Sequence, residues 1–204
     1  MDDIYIASKN KHKIDEFAQL LLPLSATIRG LPHGCPDSSE TGTTFEENAL
    51  QKAAFYRRFV AHGWVLADDS GLSVPALKGA PGVMSARYAG VHGDDEANIA
   101  KLLRELSGVP AMERVSEFVS VIAMVHVDTG ETFVVRGSLH GMIANKPRGE
   151  HGFGYDSVFF LSARNCTVAE LSPEEKNRIS HRANAVKALI RAWEANFHAG
   201  LRNQ

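Results

Sequence analysis

Cysteine is scarce in this chain: Cys35 and Cys166 are the only two among 204 residues, far apart and in no CxxC or Cys/His ligand spacing. That scarcity argues against a structural zinc site and fits a reducing cytosol. Long apolar runs are missing as well, since none approaches the ~18 residues of a membrane span. The opening "MDDIYIASKN" lacks the basic n-region and long apolar stretch of a signal peptide, so the expectation is a soluble, cytoplasmic chain with no membrane partner. Nor is there an excess of one charge: 22 Lys and Arg face 24 Asp and Glu, for a formal net charge of -2. A protein built to wrap duplex nucleic acid carries a strong basic excess, so nucleic acid is not an expected partner and any polyanion site must be local. Two phosphate-binding fingerprints, GxxxxGK[ST] and GxGxxG, are absent, which excludes a Walker P-loop and a dinucleotide turn.

What remains is an ordinary globular composition, 44% hydrophobic and 23% charged, with no repeat, linker or low-complexity tract. The length suits one compact enzyme-sized unit, and residues 1–204 are read as a single domain. Ile4 to Ala7 reads as a buried strand, and Ile14, Phe17, Ala18 and Leu21 then recur at helical spacing. Thr44 and Glu47 form a capping-box pattern before a helix running to about His62, where Gly63 supplies the stop. "GWVLA" returns as a strand that ends at Asp68 and Asp69, and Asp94 or Asp95 caps a helix carrying Ile99, Leu102, Leu103 and Leu106. "EFVSVIAMVHV" and "ETFVVRGSLHG" read as a hairpin joined by "DTG". Ser172, Pro173 and Glu175 take N-cap, N1 and N3 roles, and Val186, Leu189, Ile190, Trp193 and Phe197 mark a final amphipathic helix. The expected fold class is α/β: a mixed β-sheet with flanking helices, in two lobes about a cleft.

Five segments carry chemistry. Ser8, Lys9, Asn10, Lys11, His12 and Lys13 ("SKNKHK") fall between the first strand and the first helix, where free N–H groups and the helix dipole favour an anion. They could cradle a triphosphate; taken alone, the segment also reads as a solvated basic turn. Asp68 and Asp69, with Glu40 from the loop "SSETG", could supply oxygen ligands for Mg²⁺, which takes one or two protein carboxylates plus phosphates and water. Successive strand side chains point to opposite faces, so the two aspartates should do different work, one facing metal and water and the other orienting the loop. In "RGEHGFGYDSVFF", glycines permit close backbone approach and Phe153 or Tyr155 could stack on a nucleobase, although a bulged hairpin with core aromatics reads the same way. In "EEKNRISHRANA", Lys176, His181 and Arg182 could meet phosphate or base oxygens, or could simply form a helix junction.

In order and spacing, "SKNKHK", "SSETGTTFEENALQKA", "LADDSGLSVPALKGAPGVMSARYAG", "RGEHGFGYDSVFF" and "EEKNRISHRANAVKAL" closely resemble the inosine triphosphate pyrophosphatase family, over about Ile4 to Ile190. The resemblance implies an elongated α/β fold with two lobes around a central nucleotide-binding cleft, a homodimer, Mg²⁺ as cofactor, and hydrolysis of non-standard purine nucleoside triphosphates such as ITP, dITP and XTP. It also implies that Ser8, Asn10 and Lys13 form the phosphate-binding turn, that Glu40 and Asp69 hold the metal, and that Asp69 is the catalytic acid. By the same resemblance Ser70, Phe153, Gly154, Tyr155, Asp156, Lys176, His181 and Arg182 are substrate contacts. Ser8 replaces the family's usual Thr and keeps the hydroxyl, while Ser157 replaces a Pro and is expected to loosen the base-facing loop. Two other readings fit the same residues: a related pyrophosphatase of different base preference, and a nucleotide- or RNA-binding module.

Overall fold

A computed structural model describes residues 3–202, with side chains described as far as residue 196; the side chain of Phe197 therefore lies outside the described set. Ile4 and Ile6 alternate inward along β1 (Asp3–Ile6), and Asn10 caps the following α1 (Lys11–Leu20) by accepting the Lys13 N–H at 3.2 Å. The strand-turn-helix opening is thus as expected. β2 (Thr27–Gly30) has no apolar alternation to announce it and follows from its parallel pairing with β1.

The capping box at Thr44 and Glu47 is formed, but α2 (Phe45–Tyr56) ends earlier than expected, passing into a 3-10 turn at Arg57–Phe59. Gly63, at φ +86°, serves the entry to β3 (Trp64–Ser73) instead of stopping α2, because a Cβ there would meet the Asp3 carbonyl oxygen at 2.5 Å. Asp94 caps α3 (Asp95–Glu105), and β4 (Val115–His126) is followed by β5 (Thr132–Ile143), the turn between them closed by His126 N–H to the Glu131 carbonyl at 2.8 Å. Short strands β6 (Phe159–Leu161) and β7 (Cys166–Thr167) precede α4 (Pro173–Ile179) and α5 (His181–Arg202), and the Ser172–Glu175 capping box is present. The sheet has seven strands in the order β2-β1-β3-β4-β5-β6-β7. It is mixed, with β1 parallel to β2 and β3, and β6 antiparallel to β5 and β7. This bears out the expected α/β class.

The chain divides into two compact units. The first comprises the described residues up to Asp69, Ser120–Gly137, and those from Arg182 onward; its core joins Ile4, Ile6, Phe17 and Leu66 to Val186 and Leu189 of α5. The second comprises Ser70–Val119 and Ser138–His181, around Leu72, Leu102, Leu106, Phe118 and Phe159. Within this second unit Ser85 fixes the turn at Gly82–Arg87 against β3, accepting the Leu72 N–H at 2.9 Å and donating to the Gly82 carbonyl at 2.6 Å. Gly71 makes that approach possible: a Cβ there would lie 2.3 Å from Ser85 Oγ and 2.6 Å from the Gly82 oxygen. Gly71→Ala should therefore destabilise the protein by about 2–3 kcal/mol in urea unfolding, the cost of overpacking a filled contact. An unchanged midpoint would mean that the turn moves aside freely.

Candidate active site

β3 does not end at its acids. Pairing continues to Ser73, so Asp68 and Asp69 lie inside a strand and not at its tip, contrary to expectation; the small Gly71 lets the strand run on beneath the Gly82–Arg87 turn. As strand alternation requires, the two carboxylates meet different partners. Asp68 is 5% exposed; its Oδ2 accepts Lys13 Nζ at 2.6 Å, its Oδ1 accepts Ser120 Oγ at 2.6 Å, and Arg182 Nε lies at 4.0 Å. Burial would push this carboxyl up, but the Lys13 and Arg182 charges and the two hydrogen bonds overcome it and hold Asp68 well below the usual carboxylate range. Asp69 is 6% exposed and accepts Asn48 Nδ2 at 3.1 Å. There burial outweighs Lys52, Lys13 and the Asn48 bond, and the carboxyl is pushed up to about 6. Adjacent carboxyls are thus shifted in opposite directions.

Asn48 and Lys52 were not singled out by the sequence reading. Both lie on the inner face of α2, at i and i+4, beside the buried Ala49 and Ala53. Asn48 Oδ1 accepts the Gly42 N–H at 2.8 Å, so one buried amide ties the Glu40 loop to Asp69. Lys52 Nζ reaches Glu40 Oε1 at 2.7 Å and the Asp68 carbonyl at 2.9 Å. Polar residues at helical spacing among alanines were the available signal, because an inward-facing Asn or Lys must find partners. In the phosphate-turn candidate, Ser8 Oγ accepts the Asn10 N–H at 3.2 Å and Asn10 caps α1. Of its cations only Lys13 turns inward. Lys9 pairs with Asp37 at 2.7 Å in an exposed bridge of little energetic weight, and Lys11 and His12 are exposed.

Among the described residues no group of three or more His, Cys, Asp or Glu could hold a metal ion. The candidate ligands Glu40 and Asp69 are oxygen donors, too few for a calcium cage and without the Cys or His that zinc sites carry. They fit Mg²⁺, which draws its other ligands from phosphates and water. Burial holds the Asp69 carboxyl up despite Lys52 and Lys13, a desolvation cost that a bound divalent cation would offset.

In the second unit Ser70 is half-buried in β3, directly after Asp69. Tyr155 is not placed as a stacking face: it is 5% exposed, packed in the apolar core, and its hydroxyl donates to the Ser85 carbonyl at 2.9 Å. Phe153 is half-buried, with the Lys176 ammonium 4.7 Å from its ring centroid. Asp156 Oδ2 accepts the Phe153 N–H at 3.0 Å and Lys176 Nζ at 2.8 Å, a buried pair that closes the loop on itself. Gly152, at φ +80°, leaves room for that carboxylate, since a Cβ would stand 2.1 Å from Asp156 Oδ2. These bonds restrain the Gly154–Ser157 turn. Lys176 belongs to α4, while His181 and Arg182 open α5; the His181 ring stacks on Phe118 at 4.8 Å. Arg182, in the first unit, donates to Glu16 Oε2 at 3.0 Å.

No helix among the described residues is long and apolar enough to cross a membrane. Comparison with known proteins finds that the family described as the Ham1 family matches residues 4–192. A dITP/XTP pyrophosphatase of Geobacillus kaustophilus (strain HTA426) is 50% identical over 196 residues, 95% of each chain. One of Bacillus subtilis (strain 168) is 45% identical over 197 residues, 96% of this chain and 98% of that one. Among solved structures, a HAM1 protein from Coxiella burnetii is similar with a TM-score of 0.86 at 39% identity, covering 96% of this chain and 100% of that chain. A nucleoside-triphosphatase / dITP/XTP pyrophosphatase from Mycobacterium abscessus aligns with a TM-score of 0.74 at 42% identity, over 92% of this chain and 97% of that one.

Proposed function

The chain belongs to the Ham1 family, and on that premise we propose that it is a nucleoside-triphosphate pyrophosphatase that hydrolyses ITP, dITP and XTP to the monophosphate and pyrophosphate. The observation that carries this reading is the pair of adjacent buried carboxyls shifted in opposite directions: Asp68 held low by Lys13, and Asp69 raised to about 6 beside Asn48. Asp69 accepts a hydrogen bond from the attacking water and takes its proton, a task suited to a carboxyl of about 6 that is mostly ionised at neutral pH. Glu40 and Asp69 would hold Mg²⁺, which when bound neutralises charge on the phosphate oxygens. Lys13 and Lys52 add fixed positive charge for the phosphate chain, and Asp68 keeps Lys13 in place. Ser8 and Asn10 present the turn before α1 to the terminal phosphates.

In the second unit Phe153 offers a stacking face and Lys176 a further cation, with Tyr155 and Asp156 holding the loop that carries them. His181, Arg182 and backbone N–H groups donate to the carbonyl at C6 of hypoxanthine or xanthine. The amino group of adenine in the same place would leave those donors unpaired. The same proposal includes both units acting as one catalytic domain, a homodimer, a cytoplasmic nucleotide pool as the setting, and no nucleic-acid partner.

The test is pyrophosphate release from ITP, dITP, XTP, ATP, GTP and dUTP with and without Mg²⁺. Metal-dependent release from the first three, about 10²-fold or more above the others in kcat/KM, is the expected result. Equal turnover of all six would remove the selectivity argument. Tight, salt-sensitive RNA binding without hydrolysis would overturn the enzyme reading.

A further inference from the structure

Helix α3 carries the apolar positions Ile99, Leu102, Leu103 and Leu106, yet three of its polar side chains also turn toward protein. Asn98, 2% exposed, accepts the Ala89 N–H at 2.7 Å and donates to the Ala86 carbonyl at 3.4 Å. Lys101 Nζ donates to the Tyr88 carbonyl at 2.8 Å and lies 4.2 Å from the Tyr88 ring centroid. These two fasten residues 86–89. The third, Asp95, reaches elsewhere: its Oδ2 accepts the Gly154 N–H at 2.6 Å, across 59 residues of sequence.

An acid in the first turn of a helix ordinarily serves the helix's own free N–H groups. Here Asp94 already accepts the Ala97 N–H at 3.0 Å, and the Asp95 carboxylate instead accepts an N–H from a loop. The peptide it holds is special, because Gly154 sits at φ +59° between Phe153 and Tyr155. On one side the Phe153 N–H is bound by Asp156; on the other the Tyr155 hydroxyl is bound by the Ser85 carbonyl. An N–H bonded to an ionised acceptor is about twice as strong as a neutral pair. The Asp95 contact therefore sets the orientation of the peptide that carries the Phe153 ring.

We propose that Asp95 is a positioning residue for the base-facing loop, acting through the Gly154 N–H on base affinity and not on the chemical step. The inference rests on the pyrophosphatase reading given above. It is tested by comparing wild type, Asp95→Ala and Asp95→Asn in three measurements: steady-state kinetics with ITP and ATP, hydrogen–deuterium exchange of residues 152–157, and thermal unfolding. Asp95→Ala should raise KM for ITP about tenfold, narrow the preference for ITP over ATP, leave kcat within about twofold, and speed exchange at 152–157. Asp95→Asn keeps an accepting oxygen without the charge and should restore most of both KM and exchange protection. Unchanged KM and exchange in Asp95→Ala would overturn the proposal. So would a lowered kcat at constant KM, or an Asn variant no better than Ala with both merely lowering the melting temperature. If the wild type itself releases no pyrophosphate from any nucleotide, the pyrophosphatase reading falls, and exchange at 152–157 alone then decides whether Asp95 tethers the loop.

Discussion

Asp69→Asn should lower pyrophosphate release by about 10³-fold and at the same time make the metal-free protein more stable at neutral pH. The loss follows from removing the proton acceptor and one of the two proposed metal ligands. The gain follows from electrostatics: the folded carboxyl is raised to about 6 by burial, above the unfolded value near 3.9. Between about pH 4 and pH 6 the folded chain binds a proton that the unfolded chain has released, so this group's contribution falls as pH rises through that window. Above it the ionised, buried carboxylate costs about 2–3 kcal/mol. Asparagine has no charge to desolvate and can still accept the Asn48 bond. Urea unfolding in EDTA at pH 7.5 and pH 4 separates the parts: the variant's advantage should be present at 7.5 and vanish at 4. Destabilisation at both pH values would show that Asp69 is not held against a desolvation cost.

Lys13→Met should do the opposite, destabilising the fold by about 3 kcal/mol at pH 7. Breaking a buried pair strands the remaining charge: Asp68 is 5% exposed, with Arg182 at 4.0 Å and the Ser120 hydroxyl still beside it but without the Lys13 ammonium. The sign with pH is fixed by the depressed Asp68 carboxyl. Its stabilising contribution is complete above the unfolded value near 4 and is lost only as pH falls through the lower folded value. In the variant Asp68 takes up a proton more readily, so the deficit should shrink as the solution is acidified below about pH 4. Adding Asp68→Leu to Lys13→Met should recover part of the stability, giving a coupling energy of about 1–3 kcal/mol in a double-mutant cycle. Additive losses would mean that the two charges are screened from each other.

Much of this was legible in the chain. Period-two alternation put Asp68 and Asp69 on different faces, and their partners, Lys13 and Asn48, are indeed different. Local rules also placed the Thr44 and Ser172 caps, because a capping box is satisfied within four residues. What escaped was set by distant partners. Glycine and serine after the acids signalled a turn, yet Gly71 continues β3 because Ser85 packs against it from 14 positions away. Nothing in local spacing marked Lys52, whose acceptors, Glu40 and the Asp68 carbonyl, come from other segments. Tyr155 read as a stacking face, but the Ser85 carbonyl satisfies its hydroxyl and frees its ring for the core. In each case the decisive quantity was a buried hydrogen bond, which sequence spacing does not encode.

The interleaving of the two units also bears on how the chain can be made. Most multi-unit proteins finish their first-synthesised part while later residues are still in the ribosome. Here the first unit needs Val186 and Leu189 of α5 beside Ile4 and Ile6, and Arg182 near Asp68, so it stays incomplete until α5 has emerged. The second unit has its last segment by His181 and is the earlier of the two to be finished. A nascent chain halted before α5 would carry the Asp68 and Asp69 strand with its core open, a species for chaperones or proteases, and hydrolytic competence would arrive only with the first turns of α5.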